Sequence, residues 1–295
     1  MIGIDSGRAS LSVRRQRVAR VVEKQSVRVI SFTSGKGGVG KTLLTINLGL
    51  ALVKSGKRVL LLDADLGLAN IHVMLGFQTS RTLHDVFQKR ATLEDVIVSL
   101  PCGLDVLPAS SGIHSLTQLT EAERMFLIDA AETLRTNYDY VLIDTAAGIG
   151  DNVLYFNSVA HDVLVVVDEE PTSLTDAYAL IKVLATRCGV DEFHVLVNRT
   201  PSGIDGKSVF AQLVAATDRF LTVRLRYLGA VSNDDCVTQA IIAQKPFLQL
   251  FPGSRTSWDI LGIAKKLSDL PSARTPKGGL QLFFRDLLAR DNANG

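Results

Sequence analysis

Short apolar runs alternate with stretches of helical periodicity along most of the chain. The runs are rich in Val, Ile and Leu, and several are apolar almost throughout, as is typical of parallel strands covered on both faces. Seven runs predict strands, at residues 27–32, 58–64, 103–108, 138–144, 162–168, 193–198 and 227–231. Helical spacing of apolar positions predicts helices at 42–54, 121–136, 173–187, 207–221 and 254–268. This alternation predicts an α/β fold, a doubly wound and mostly parallel sheet with helices on both faces.

The two ends of the chain lack this alternation. Residues 1–26 are rich in arginine and poor in acidic residues, which predicts a basic N-terminal extension. Such an extension is either a solvated tail or a docking segment for an acidic partner or a membrane surface. The alternating region, 27–270, is predicted to form a single domain. Residues 271–279 have the proline, glycine and small polar residues of a linker, and residues 280–290 again have a helical period.

The last helical stretch, 280–290, carries an apolar stripe. Its members are spaced i, i+3, i+4, i+7 and i+8, which places them on one side of a helix. They are Leu280, Phe283, Phe284, Leu287 and Leu288. A stripe of this kind suits either docking on the domain or binding to a membrane surface. Its place after a linker and its two adjacent phenylalanines favour a membrane-targeting amphipathic helix, and folding back onto the domain in the monomer stays open.

Charge and cysteine content exclude several classes of protein. The chain has 295 residues with Lys+Arg 32 and Asp+Glu 30, so it lacks the overall basic field of DNA-coating proteins, and no direct nucleic acid partner is expected. Cys102, Cys188 and Cys236 are far apart, which argues against a disulfide framework, a zinc ribbon or an iron–sulfur site. No apolar run reaches the roughly 18 residues that span a bilayer. We expect an intracellular protein.

A phosphate-binding loop is predicted between the first strand and the first helix. Residues 35–42 read Gly-Lys-Gly-Gly-Val-Gly-Lys-Thr and match G-x-x-x-x-G-K-[ST]. Glycines let backbone amides curl around phosphate oxygens, while the lysine reaches the β- and γ-phosphates and the threonine hydroxyl ligates Mg²⁺. The motif therefore predicts binding of a nucleoside triphosphate with Mg²⁺. The predicted binding residues are Gly35, Lys36, Gly37, Gly38, Val39, Gly40, Lys41 and Thr42.

A second lysine, Lys36, follows the first glycine of the loop. An ordinary phosphate-binding loop does not need a charge there, and KGGVGKT is the deviant form of the Walker A sequence. In this the chain resembles the MinD/ParA family of dimerising ATPases. The resemblance implies an ATPase that forms a homodimer with ATP, in which Lys36 crosses to the partner's phosphates as an arginine finger does elsewhere. It also implies that Lys36, Lys41 and Asp65 are the catalytic residues.

Carboxylates stand at the ends of two predicted strands, where open α/β sheets place their ligands. Asp144 ends one strand, and Asp63 and Asp65 end another. The resemblance implies that Asp144 is a Walker B residue that holds Mg²⁺ through water. It implies that Asp65 orients or activates the attacking water and is a further water-mediated ligand of Mg²⁺. Asp63 is interpreted as structural.

Further nucleotide contacts rest on the same resemblance. Asn198 matches the asparagine that recognises the adenine edge, although an asparagine after a strand is often only a turn residue. Leu43 and Arg199 are assigned to ATP binding, and Glu170 to the ribose of the partner's nucleotide. Ser232 stands where relatives more often carry a proline near the adenine, which leaves the base pocket less defined.

Longer stretches resemble flagellar-number ATPases of the FlhG/FleN type. They are LLDADLGLANIHVMLG (61–76), VLIDTAAGIGDNV (141–153), EEPTSLTDAYALIK (169–182) and FFRDLL (283–288). The resemblance implies a negative regulator of flagellar number that restrains a master transcription regulator of the FleQ type and opposes the GTPase FlhF. It implies a cytoplasmic protein that binds the inner face of the cytoplasmic membrane when ATP is bound. The N-terminal extension lacks the D-Q-A-type motif with which some relatives stimulate FlhF, which argues against direct stimulation.

Two alternatives stay open. An ATPase for division-site placement or partition shares the same motifs, although a DNA partitioner needs a basic surface that this nearly neutral chain does not indicate. A nucleotide-sensing adaptor would bind ATP and hydrolyse it only incidentally.

Overall fold

The computed structural model describes residues 27–65, 70–81, 85–86, 90–108, 137–201 and 206–271. Its strands are β1 (Arg28–Ser34), β2 (Val59–Ala64), β3 (Val98–Ser99), β4 (Asp105–Leu107), β5 (Tyr140–Ala147), β6 (Asp162–Val167), β7 (Glu192–Thr200) and β8 (Arg224–Ser232). They form one sheet in the order β3-β4-β2-β5-β1-β6-β7-β8. All neighbours pair in parallel except β3 and β4, which are antiparallel.

Helices connect the parallel strands. They are α1 (Lys41–Lys54), α2 (Ile71–Leu75), α3 (Leu93–Val96), α4 (Asp151–Val159), α5 (Pro171–Cys188), α6 (Lys207–Asp218), α7 (Asp235–Ile242), α8 (Phe247–Leu250) and α9 (Arg255–Ser268). In the described ranges no helix has the length and apolar character needed to cross a membrane. The predicted doubly wound, mostly parallel α/β sheet is confirmed, and each of the seven predicted strands corresponds to a strand of the sheet.

Helices cover both faces of the sheet because successive strand residues point to opposite sides. On one face, Ile30 and Phe32 of β1 belong to a buried cluster that includes residues of α1 and α9. On the other face, strand residues such as Val141 of β5 and Val165 of β6 lie in buried clusters with α4, α5 and α6. Burial on both faces explains why these strands read as continuous apolar runs rather than alternating ones.

The connections from two central strands create a crevice at the carboxyl end of the sheet. From β1 the chain passes through α1 to β2, and from its neighbour β5 it passes through α4 to β6. Because β5 lies between β1 and β2, and β1 lies between β5 and β6, these two connections leave in opposite directions. Such a switch point is where open α/β sheets bind ligands. The loop at 35–42 lies here, directly after β1.

The amino end of the sheet is tied together by ionic contacts. Arg28, at the start of β1, donates from Nε and Nη2 to the two carboxylate oxygens of Asp162 at 2.6 and 2.9 Å. Nε2 of His194 in β7 lies 3.4 Å from the same carboxylate. Arg28 also donates from Nη1 to the carbonyl oxygen of Leu270 at 3.0 Å. The carboxylate of Asp162 at the start of β6, whose side chain is 11% exposed, thus joins three neighbouring strands.

Side chains of α9 bond the edge strand β8 at two places. The backbone N–H of Ser232 donates to Oδ2 of Asp259 at 3.0 Å, and the hydroxyl of Ser232 donates to the same oxygen at 2.7 Å. Further along the strand, Nζ of Lys266 donates to the carbonyl oxygen of Leu228 at 2.8 Å. Two side chains of one helix therefore bond backbone groups of an edge strand.

Candidate functional site

The segment between β1 and α1 turns through glycines in left-handed conformations. Gly38 has φ +82° and Gly40 has φ +90°, values that residues with a Cβ rarely adopt. Gly40 is also the N-cap of α1, whose first turn has neither a capping side chain nor an acidic residue. The first amides of α1 therefore have no side-chain partner at the cap, which is the condition under which a helix N-terminus binds phosphate.

This loop is held closely at both ends and open at its centre. A Cβ at Gly35 would lie 2.1 Å from the carbonyl carbon of Asp176 in α5, and a Cβ at Gly40 would lie 2.4 Å from Nδ2 of Asn198. At Gly37 and Gly38, in contrast, an added Cβ would meet nothing within 4 Å. The glycines thus serve close packing at the ends and leave space in the middle, as a phosphate cradle requires.

Asp144, near the carboxyl end of β5, joins the two polar residues that open α1. Its Oδ1 accepts a hydrogen bond from Nζ of Lys41 at 2.7 Å, and its Oδ2 accepts one from the hydroxyl of Thr42 at 2.6 Å. The hydroxyl of Thr45 donates to Oδ1 at 3.4 Å. Lys41 and Asp144 are both buried. Carboxylate and hydroxyl oxygens are ligands that Mg²⁺ prefers, and a lysine binds phosphate, so these residues fit ATP with Mg²⁺.

Lys36 makes an ion pair within its own chain. Its Nζ donates to Oε2 of Glu170, the N-cap residue of α5, and to the hydroxyl of Thr172 at 3.2 Å. Both charged side chains are substantially exposed, at 36% and 54%. The hydrogen bond raises the pKa of Lys36 and lowers the pKa of Glu170. The two residues that were assigned to the neighbouring subunit's nucleotide therefore lie together in one chain.

Asp63 lies beside Asp144 on the adjacent strand. The two residues are paired in the parallel register of β2 and β5, and both are buried. Burial is the largest cause that raises the pKa of Asp63, to about 7, and the neighbouring Asp144 carboxylate adds to it. Hydrogen bonds from the amides of Ile71 and Asp65 act in the opposite direction. Asp65 itself follows β2 directly and is half-buried.

Comparison with known proteins identifies the family. A family model described as an AAA domain matches residues 27–187, which is more than half of the chain. The chain is 45% identical over 269 residues to the antiactivator FleN of Pseudomonas aeruginosa, covering 91% of this chain and 96% of FleN. The chain belongs to the MinD/ParA family of P-loop ATPases.

Two other members of the MinD/ParA family extend this comparison. The flagellum site-determining protein YlxH of Helicobacter pylori is 31% identical over 269 residues, which covers 90% of this chain and 91% of YlxH. The septum site-determining protein MinD from Pyrococcus horikoshii, solved as a complex with Mg-ADP, matches the fold with a TM-score of 0.62 and 26% identity. That match covers 82% of this chain and 96% of MinD. The Mg-ADP complex is consistent with the use of nucleotide and Mg²⁺ in the MinD/ParA family.

Asn198, which was assigned to the adenine edge, and Arg199, which was assigned to ATP binding, lie near the end of β7. Nδ2 of Asn198 donates to the carbonyl oxygen of Val39 at 2.7 Å, so this buried amide braces the loop of the MinD/ParA domain. Arg199 has φ +57° and its Nη1 lies 4.0 Å from Oδ2 of Asp168. Leu43 is half-buried on α1 and packs against the core. Adenine recognition by Asn198 stays a prediction.

Ser232, the departure from the usual proline, makes contacts that a proline could not make. Its backbone N–H and its hydroxyl both donate to Asp259, and its carbonyl oxygen accepts from the hydroxyl of Thr256 at 3.1 Å. A proline has no N–H, so the first of these bonds would be lost. In this MinD/ParA chain the end of β8 is therefore tied to α9.

Several contributors to the site were not predicted. Thr45 and Thr172 bond Asp144 and Lys36, but nothing in a single threonine distinguishes these from other threonines. Asp63 was interpreted as structural, although the D-A-D spacing places it next to a predicted catalytic residue. The apolar stripe at 280–290, the predicted helix at 121–136 and the basic extension at 1–26 lie outside the described residues.

Proposed function

We propose that the protein is a membrane-associating ATPase that dimerises with ATP and negatively regulates flagellar number. The observation that carries the proposal is the presence of a second lysine, Lys36, in the phosphate-binding loop. This loop packs closely against α5. The similarity to FleN and YlxH over almost their full lengths supports the flagellar role. Because FleN is named an antiactivator, we assign to this protein the restraint of a master transcription regulator of the FleQ type and opposition to an FlhF-type GTPase.

The residues of the loop divide the work of nucleotide binding. The amides that begin α1 and the Lys41 ammonium hold the phosphates, while the Thr42 hydroxyl and, through water, Asp144 hold Mg²⁺. When bound, Mg-ATP supplies the γ-phosphoryl group that is transferred to water. Asp65 orients that water and accepts its proton, and Asn198 at the end of β7 contacts the adenine edge. Hydrolysis to ADP and phosphate is expected to be slow until the dimer forms.

Lys36 exchanges its partners when the proposed dimer forms. In one chain its partners are Glu170 and Thr172 at the start of α5. Exposed ion pairs stabilise proteins only weakly, so phosphates from a second subunit can compete for the ammonium group. After the exchange Lys36 lies on the partner subunit's phosphates, and Glu170 is released to approach the partner's ribose. Dimerisation thereby completes the active site.

The terminal segments supply attachment to other surfaces. The amphipathic helix at 280–290, on its linker at 271–279, binds the inner face of the cytoplasmic membrane. One short helix binds weakly, but two helices in an ATP-bound dimer act together and increase the apparent affinity. The basic extension at 1–26 is available to an acidic partner or to anionic lipid.

Light scattering during size exclusion tests the dimerisation step. With ATP, Asp65→Ala should accumulate as a dimer because its phosphate contacts remain while the attacking water is no longer positioned. Lys36→Ala should bind ATP and remain monomeric, and this variant is the matched control. A monomeric Asp65→Ala protein that binds ATP would refute the assignment. Single-turnover hydrolysis with and without lipid separates the ATPase from an adaptor, which would show no acceleration on dimerisation.

Co-sedimentation with liposomes tests the membrane helix. Wild type should sediment better with ATP than with ADP, because only the dimer presents two helices. Phe284→Glu should bind ATP and lose sedimentation, since a carboxylate is costly in acyl chains. Ala289→Glu, which adds the same charge on the side of the helical period opposite the stripe, is the control. Absence of wild-type binding in both nucleotide states would show that the stripe docks on the protein instead.

A further inference from the structure

Asp63 uses both of its carboxylate oxygens on backbone amides. Oδ1 accepts a hydrogen bond from the N–H of Asp65 at 3.2 Å, and Oδ2 accepts one from the N–H of Ile71 at 3.3 Å. The residue is near the end of β2 and only 2% exposed. An amide that loses its acceptor inside a protein is destabilising, so these two contacts favour one arrangement of the backbone.

The two amides belong to the proposed catalytic residue and to the beginning of α2. The N-cap of α2 is Asn70, whose side chain makes no capping bond, so Asp63 supplies the acceptor for the first N–H of this helix. The side chain of Ile71 is fully buried in the core cluster that includes α1. The Asp63 carboxylate therefore fixes the backbone at Asp65 relative to the sheet and to the buried residue Ile71.

The same carboxylate stands beside the residue that organises the phosphate-binding loop. Asp63 and Asp144 are register partners in neighbouring parallel strands, which are about 4.8 Å apart. Asp144 bonds Lys41 and Thr42, whereas the Asp63 carboxylate accepts from the backbone of the segment after β2. The two adjacent carboxylates thus have different partners. Asp144 bonds residues of the phosphate-binding loop, and Asp63 bonds the backbone at Asp65.

We propose that Asp63 is a positioning residue for ATP hydrolysis, which holds Asp65 at the distance from the phosphate-binding loop that its work on water requires. The proposal rests on the ATPase activity proposed above and assigns to Asp63 no contact with the nucleotide. A carboxylate is needed because two amides require two acceptor oxygens. Asparagine has one acceptor oxygen and alanine has none.

Steady-state hydrolysis and ATP binding measured on the same variants test this role. In Asp63→Ala the affinity for ATP should stay within about threefold of wild type. The kcat should fall about tenfold to a hundredfold, because small errors in the position of a catalytic group have effects of this size. Asp63→Asn should fall between wild type and Asp63→Ala. Hydrogen exchange at the Ile71 amide should be slow in wild type and clearly faster in Asp63→Ala. The exchange rate is a direct measure of the hydrogen bond from the Ile71 N–H to Asp63.

Val59→Ala is the matched control, since Val59 is a buried residue at the other end of the same strand. It should lower the stability of β2 and leave kcat unchanged at a temperature where it is folded. An unchanged kcat in Asp63→Ala would overturn the proposal, as would a loss confined to ATP affinity. If Asp63→Ala does not fold, the kcat of Asp63→Asn and the hydrogen exchange of its Ile71 amide test the proposal instead. Full activity in Asp65→Ala would instead refute the proposed function.

Discussion

Replacing Asp162 with asparagine should make the free energy of unfolding depend less on pH in the acidic range. Burial alone would raise the pKa of this carboxyl group, but hydrogen bonds from His194 and Arg28 outweigh burial and lower it to about 2, from an ordinary 3.8. One pKa unit corresponds to about 1.4 kcal/mol, so this difference contributes about 2 kcal/mol to folding at neutral pH. Asp162→Asn removes the charge and retains the shape of the side chain.

The sign of the pH dependence follows from the direction of the pKa change. The folded protein holds its proton less tightly at Asp162 than the unfolded chain does, so the contribution is complete above about pH 5. It should fall to about half by pH 3 and be largely lost near pH 2. The difference in free energy of unfolding between wild type and Asp162→Asn should therefore decrease in the same way as the pH is lowered.

Urea unfolding followed by circular dichroism, at several pH values between 7 and 3, measures this difference. Asp139→Asn is a suitable control because the partner of Asp139 is the exposed Arg58, and exposed pairs contribute little. We expect a loss of about 2 kcal/mol for Asp162→Asn at pH 7 and a clearly smaller loss for the control. A difference that is absent at pH 7, or that is constant down to pH 3, would refute the linkage.

Two further predictions concern the phosphate-binding loop. Gly35→Ala should abolish ATP binding, measured by calorimetry, because its Cβ would lie 2.1 Å from a backbone carbon of α5 and the loop would have to move; Gly37→Ala, whose Cβ meets nothing within 4 Å, should retain most of the affinity. Asn198→Ala should lower stability by about 1–3 kcal/mol through the unsatisfied carbonyl of Val39. It should also reduce the preference for ATP over GTP, and an unchanged preference would show that Asn198 only braces the loop.

The sheet was largely predictable because its strands are buried on both faces. The run at 162–168, for example, is apolar without interruption from 163 to 167, and each of the seven runs became a strand of the sheet. β3 was missed because it is only two residues long, Val98–Ser99, and pairs antiparallel at the edge of the sheet. α4 was also missed, because nine residues after a glycine-rich turn show too little of a helical period.

The functional site was predictable where the chemistry is local in sequence. The phosphate-binding loop is contiguous, so its residue types and its position before a helix could be recognised together. The pair of Lys36 and Glu170 joins residues 134 positions apart, and no local pattern indicates such a contact. The role of Asp63 depends on an amide eight residues later, which becomes its partner only when α2 folds against the sheet.

The two bonds from α9 to the edge strand β8 bear on the tendency of the sheet to aggregate. An open strand edge offers unpaired backbone groups to any other extended chain, and such edges are a common origin of aggregation. Here Lys266 occupies a carbonyl oxygen and Asp259 an N–H of the edge strand, so an incoming strand would first have to displace a charged side chain at each place. Addition of a further strand is thereby disfavoured at this edge, which limits aggregation through the sheet.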